Sequence, residues 1–267
     1  MIRLVASDVD GTIVEHDGSL PHGRVAAVTA VQSAGIPFIL ATGRLWSSIR
    51  ELSERLGIEG PNVTCNGSAV VGVDGTIHSL ELVDTDLADA LTAELHRRGV
   101  PHAVYLEDGS VVTTAIAPEH DVLPMLSEPM PTVGGREGRR VIKVVAFVNV
   151  EAEQDLRRIG SDVARIQRAG PRFLEWSSPE ADKSTGAATA ASILGVDLED
   201  VVAIGDAEND APLLRRAGLG VAVVGASTVA VDAADLQLDG ALDDFLYAIA
   251  AGRDLTAAAR GREVEAR

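Results

Sequence analysis

Apolar residues gather in short continuous runs in the outer parts of the chain: Ile2–Ser7, Ile36–Ala41, Val201–Ile204 and Gly220–Val224. Each run is mostly aliphatic or β-branched and gives way to Gly, Asp, Ser or Thr. Such runs predict strands covered on both faces, as in a parallel sheet. Between them, apolar positions recur with helical spacing over Arg24–Ala34, Ser47–Leu56, Thr185–Leu194 and Asp210–Ala217. Strands alternating with helices imply a doubly wound, Rossmann-like α/β sheet whose chemistry collects at the carboxyl ends of the strands.

The middle of the chain has another pattern. A helical stretch, Asp86–Arg97, leads to Pro101–Leu106 and Ser110–Ala115, two short β runs around Asp108-Gly109 that predict a hairpin. Pro124–Gly138 is rich in Pro and Gly and reads as loops. Next come a strand at Val141–Asn149, a helix near Glu151–Arg168 and a strand at Arg172–Ser177. Asp74-Gly75 marks a further hairpin before this region. The expected organisation is a core of residues 1–82 plus 183–267, interrupted by an α+β domain at 83–182. Arg253–Arg267 reads as a frayed helix or tail.

Composition narrows the function. Only 3% of residues are aromatic, so the core must be built from Val, Ile, Leu and Ala. Forty acidic against 23 basic side chains give a formal charge of −17, which disfavours nucleic acid and anionic membranes as partners. An anionic substrate then requires local neutralisation by a cation, a lysine or helix N-termini. The single Cys65 excludes an intramolecular disulfide and suits a reducing compartment. No apolar run approaches the roughly 20 residues that cross a bilayer. The N-terminus enters a strand and two aspartates at once, unlike a signal peptide. A cytoplasmic protein is expected.

The candidate chemistry lies at the strand ends. Asp8-Val9-Asp10-Gly11-Thr12 comes directly after the first strand, where alternation can direct both carboxylates to one side and Gly11 lets the chain turn away. Two carboxylates this close repel unless a cation lies between them, an arrangement that supplies a nucleophile and a proton carrier. Alone, the segment could equally be an acidic turn. Gly205-Asp206-Ala207-Glu208-Asn209-Asp210 succeeds Val201–Ile204 in the same way, and Asp206 and Asp210 offer further oxygen ligands suited to magnesium. Alone, it could be a helix-capping turn. Ile36–Ala41 ends in Thr42-Gly43-Arg44, whose hydroxyl and following helix N-terminus could hold a phosphate. Lys183 opens a helix and is either a solvated surface lysine or a charge that neutralises phosphate and orients Asp8.

In order, these four segments resemble the motifs of the haloacid dehalogenase (HAD) superfamily. Their details are closest to the Cof-type capped phosphatases: "TGR" at Thr42–Arg44, "NGS" at Asn66–Ser68, "GDAEND" at Gly205–Asp210, and Gly220-Val221-Ala222-Val223 with Asp239-Gly240 further on. Ser184 stands where Gly is commoner, and Gly225-Ala226 where Asn-Ala is frequent. The resemblance implies a HAD core sheet with an inserted α+β cap domain, and a Mg2+-dependent phosphatase acting on a small phosphate monoester, such as a sugar phosphate or phosphoglycolate. Asp8 is then the covalent nucleophile and Asp10 the acid and base. Asp8, the Asp10 carbonyl and Asp206 hold the metal, with Asp210 nearby or coordinating through water. Thr42 and Lys183 bind the phosphoryl group, while Gly43, Arg44, Asn66 and Asn209 orient phosphate or leaving group.

The amino acids leave three rival readings open: a sugar phosphomutase, a non-enzymatic phospho-acceptor of the receiver type, and a phosphate-binding module that has lost activity, which the intact motif residues disfavour. The short "GDAEND" disfavours the first; Asp10 and the long insertion disfavour the second. Within the inserted region, Lys143, His102, His120, Arg136 and Arg139 are either substrate contacts or plain surface residues. Glu175, Trp176 and Glu180 are candidates for structural roles. His16 and His22 are expected as loop residues without metal-ligand spacing.

Overall fold

The computed structural model describes residues 2–113, 131–168 and 172–260. His120, residues 124–130 of the Pro- and Gly-rich stretch, and residues 261–267 of the expected tail lie outside them.

In chain order the first elements are β1 (Leu4–Ser7), α1 (Arg24–Ser33), β2 (Phe38–Leu40), α2 (Trp46–Arg55), β3 (Asn62–Thr64), β4 (Ala69–Val71) and β5 (Ile77–Leu80). The middle supplies α3 (Thr85–Arg97), β6 (His102–Leu106), β7 (Val111–Thr113), β8 (Thr132–Val133), β9 (Val141–Phe147), α4 (Val150–Leu156), β10 (Arg165–Arg168) and β11 (Phe173–Ser177). The last part contains α5 (Lys183–Ile193), β12 (Val201–Gly205), α6 (Ala211–Arg216), β13 (Leu219–Ala222), α7 (Thr228–Ala233) and β14 (Leu236–Gln237). It closes with α8 (Leu242–Ala250) and α9 (Leu255–Ala259).

Two compact units emerge. The first comprises Met1–Thr42, Arg50–His78 and Asp182–Arg267. Its sheet has the order β14-β13-β12-β1-β2, with every pairing parallel. The apolar runs dictate this, since Leu4, Ala6, Ile39, Val201 and Ala203 are buried in one cluster with Ala187, Ala190 and Ala191 of α5. Helix α1 turns Ala27, Val28 and Val31 inward, a spacing of one helical face. The apolar pattern does not predict β14, because two residues are too short to register as a run.

The strand order sets neighbouring chain ends together. β1 lies between β12 and β2, with Ser7 in register with both Ile204 and Leu40. Three strand ends therefore finish side by side. Asp8 N donates to Ile204 O at 2.8 Å, and Ala41 N donates to Ser7 O at 2.8 Å.

The second unit comprises Gly43–Ile49 and Ser79–Ala181. Its sheet has the order β10-β11-β9-β6-β7-β8, mainly antiparallel. One face, with Val104, Leu106, Val144, Leu174 and Trp176, is buried with Leu91 and Leu95 of α3. The hairpin at Asp108-Gly109 is present, joining β6 to β7. Two expectations fail here. The helix near Glu151–Arg168 stops at Leu156, and Arg165–Arg168 forms β10, because antiparallel pairing with β11 puts Ile166 opposite the buried Trp176. Tertiary pairing outweighs the helical preference of this stretch. Thr132–Val133, expected in a loop, forms a strand parallel to β7.

Candidate active site

The first unit's sheet brings Asp8, Asp206 and Asp210 together, each offering a carboxylate oxygen within 4.8 Å of the others. Lys183 Nζ joins them, 2.5 Å from Asp8 Oδ1 and 2.6 Å from Asp210 Oδ1. Lys183 is the first residue of α5, whose start is fixed by a reciprocal cap. Asp182 Oδ1 accepts from the Ser184 and Thr185 main-chain N–H groups at 2.7 and 2.9 Å, and the Asp182 N–H donates to Thr185 Oγ1 at 3.2 Å. Ser184, at the position where Gly is commoner, takes part in this end. Its hydroxyl donates to Asp182 Oδ1 at 2.5 Å and accepts from Arg216 Nη1 at 2.7 Å.

Each carboxylate has a distinct set of partners. Asp210 is fully used: Oδ1 takes Lys183, and Oδ2 accepts from the N–H groups of Asp206 and Ala207 at 3.0 and 2.9 Å. Asp206 Oδ1 accepts from the Thr12 hydroxyl at 3.2 Å. Asp8 Oδ2 and Asp206 Oδ2 have no hydrogen-bond partner among the described residues. Two free oxygens beside a buried cluster of carboxylates suit a hard, oxygen-seeking divalent cation, with water and substrate completing its shell. The donor set fits.

Electrostatics point the same way. Burial, and then the charge of Asp210, push the Asp8 carboxyl well above the usual carboxylate range despite the nearby Lys183. Asp206 is raised for the same two reasons. Burial alone would lower Lys183, but Asp210 and Asp8 outweigh it and raise the ammonium above its ordinary value. Lys183 is therefore a permanent cation here. A divalent cation at the cluster would restore ionised Asp8 and Asp206.

The remaining candidates occupy different surroundings. Asp10 is exposed at the turn after Asp8 and bridges to Val14. Gly11, at φ +82°, leaves no room for a side chain: a Cβ there would come within 2.5 Å of both Asp206 Oδ2 and His16 Cε1. Thr42 is fully buried, its N–H donating to Val63 O and its carbonyl accepting from Asn66 N at 2.9 Å. Asn66 sits in a turn where Cys65, Asn66 and Gly67 all have positive φ, and its side-chain oxygen accepts from Asn209 Nδ2 at 2.9 Å. Strained turns of this kind concentrate at functional sites. Gly43 and Arg44 belong to the second unit, where Gly43 O accepts from Lys143 Nζ at 3.0 Å.

Lys143 and His102 are not surface residues. Lys143 is buried, pairs with Glu175 at 3.0 Å and lies over the Tyr105 ring, because β9 runs through the middle of its sheet. His102 is buried, with Nδ1 2.9 Å from Val100 O. Arg136 and Arg139 pair with Asp89 and Asp108. Trp176 donates to Ile159 O, a structural contact. Sequence reasoning missed three residues at the acidic site. His16 is a loop residue as expected, yet lies beside Asp206; Thr12 bonds Asp206 directly; and Arg24 supports the loop that carries Thr12. Only Thr12 left a signal, as the end of the first motif.

Comparison with known proteins agrees with this geometry. Residues 5–246 match the haloacid dehalogenase-like hydrolases. The chain belongs to that family. It is 33% identical to the phosphoglycolate phosphatase of Methanopyrus kandleri, over 90% of this chain and 91% of that protein. It is 23% identical to the 5-amino-6-(5-phospho-D-ribitylamino)uracil phosphatase YcsE of Bacillus subtilis, over 91% and 92%. The fold is shared with BT1666, a phosphatase from Bacteroides thetaiotaomicron, at a TM-score of 0.78 and 24% identity over 89% and 90% of the two chains. This haloacid dehalogenase-like hydrolase is a phosphoric monoester hydrolase of the Cof type. No helix among its described residues is long and apolar enough to cross a membrane.

Proposed function

We propose that the protein is a Mg2+-dependent phosphatase that works through an aspartyl-phosphate on Asp8. The observation that carries this reading is the convergence of Asp8, Asp206 and Asp210 on one point, with Lys183 bonded to the first and last. In the first step an Asp8 carboxylate oxygen attacks phosphorus, forming a new O–P bond as the bond to the leaving oxygen breaks. Asp10, exposed and two residues on, gives its proton to that leaving oxygen. In the second step Asp10 takes a proton from water, the water oxygen attacks phosphorus, and Asp8 is released with inorganic phosphate.

The other residues position and neutralise. Lys183 holds Asp8 in place and offsets phosphate charge. Thr42 supplies a strand-end hydroxyl for a phosphate oxygen, backed by Gly43 and Arg44. Asn66 and Asn209, already bonded to each other, orient the phosphoryl group from the Lys183 side. Asp8 and Asp206, with the Asp10 carbonyl, would hold Mg2+, and Asp210 fixes their surroundings through Lys183 and the Asp206 N–H. When bound, the ion supplies positive charge to the phosphoryl oxygens and keeps the carboxylates ionised. The second unit is proposed as a cap domain that excludes water and contacts the substrate.

Phosphoglycolate is the first candidate substrate, on the strength of the 33% identical relative. The test is phosphate release from phosphoglycolate, sugar phosphates and the ribitylaminouracil phosphate, with and without Mg2+, alongside Asp8→Asn. Mg2+-dependent release that vanishes in the variant is expected. An isomerised hexose phosphate in place of free phosphate would make the protein a mutase, and turnover surviving in the variant would remove the covalent step.

A further inference from the structure

Arg24 opens α1 with its side chain only 6% exposed, unusual for an arginine. Its Nε donates to Asp243 Oδ1 at 2.5 Å, and its Nη1 donates to the main-chain carbonyls of Thr12 and, at 3.2 Å, of Ile13. The Thr12 hydroxyl in turn donates to Asp206 Oδ1. Asp243 lies in the first turn of α8 and is pressed against Gly23, where a Cβ would come within 2.6 Å of Oδ2. One continuous chain of bonds therefore runs from α8 through α1 and the loop after β1 to the loop after β12.

We infer that Arg24 and Asp243 are a positioning pair for the acidic site: they fix the Thr12 carbonyl, which aims the Thr12 hydroxyl at Asp206 Oδ1 and leaves Oδ2 facing the cation. The inference rests on the reading of Asp8 and Asp206 as cation ligands. Stability alone is a poor reason for this pair, since a buried ion pair gives little over apolar residues of the same volume. The guanidinium is what the geometry requires. It reaches a carboxylate with one edge and two carbonyls with another, whereas a lysine presents a single point charge. Partners of metal-ligating carboxylates, bonded as Thr12 is here, typically tune affinity about 10- to 100-fold.

The test is Mn2+ binding monitored by electron paramagnetic resonance, a readout independent of hydrolysis, together with melting temperature. Compared are the wild type, Arg24→Met, Arg24→Lys, Asp243→Asn, Thr12→Val and the Arg24→Met/Thr12→Val double variant. Arg24→Met and Thr12→Val are each expected to weaken Mn2+ binding about tenfold, and the double variant no more than either alone. Asp243→Asn should weaken it less, and Arg24→Lys should restore part of the loss. Should Arg24→Met fail to fold, Arg24→Lys and Asp243→Asn carry the comparison. Variants that melt earlier yet bind Mn2+ like the wild type, or effects of Arg24 and Thr12 that add, would overturn the positioning role. A wild type that binds no Mn2+ would overturn the cation reading itself, and the task assigned to the pair with it.

Discussion

Lys183 Nζ lies 2.5 Å from Asp8 Oδ1, although 175 positions separate the two residues. The lysine is held at a capped helix start and the aspartate at a strand end, so neither can retreat when the other is removed. Both are buried, and Asp210 closes the pair from the other side at 2.6 Å.

Lys183→Met should therefore be costly to the fold as well as to activity. It leaves the buried Asp210 carboxylate without its cation, and breaking a buried pair by removing one partner costs about 3–5 kcal/mol. Urea unfolding of the metal-free variant at neutral pH measures this. A change of less than about 1 kcal/mol would contradict the buried triad.

Asp8→Asn should separate stability from function. It removes a carboxylate whose pKa is raised mainly by burial and by Asp210, so the metal-free variant is expected to melt no lower than the wild type. Turnover should fall by at least about a thousandfold, because the nucleophile is gone. Differential scanning calorimetry and phosphate release read the two quantities in one preparation.

The pH dependence has a defined sign. Asp8 and Asp206 have folded pKa values raised by burial and by Asp210, so the metal-free folded chain keeps protons that the unfolded chain loses above about pH 4. Their contribution to stability is complete below about pH 4 and is lost as pH rises through the raised folded values. Mg2+ competes with those protons. The increase in melting temperature on adding Mg2+ should thus grow with pH over this window, as thermal scans at a series of pH values would reveal. An increment that does not change with pH would count against Asp8 and Asp206 as ligands.

Gly67→Ala tests the turn that carries Asn66. A Cβ at Gly67 would fall 1.9 Å from Asp182 O, a main-chain atom that cannot swing aside, and the residue has φ +93°. Strain of this kind costs about 1–3 kcal/mol before any clash is counted. Because Asp182 caps the helix that starts at Lys183, the variant should lose activity more than it loses melting temperature. Parallel kinetic and thermal measurements decide it, and unchanged turnover would detach the turn from the site.

Much of this was legible in the amino acids alone. Local rules suffice for a strand ending in Asp-x-Asp-Gly, for a helix opening at Lys183, and for a hairpin at Asp108-Gly109, because each depends on neighbours a few residues away. The four motifs could be read in order for the same reason. What pattern could not settle was Arg165–Arg168, whose strand exists through its pairing with β11, or β14, too short to stand out from its surroundings.

Tertiary structure alone decided which charges meet. That Lys183 reaches both Asp8 and Asp210 depends on the sheet order that sets β12 beside β1. Lys143 is buried because β9 lies inside its sheet, where Glu175 pairs with it, and Arg24 meets Asp243 because α8 packs against α1. The amino acids determine which groups are available and their local conformation. Burial and the distance between charges depend on how remote segments pack, and those two quantities govern the chemistry of the site.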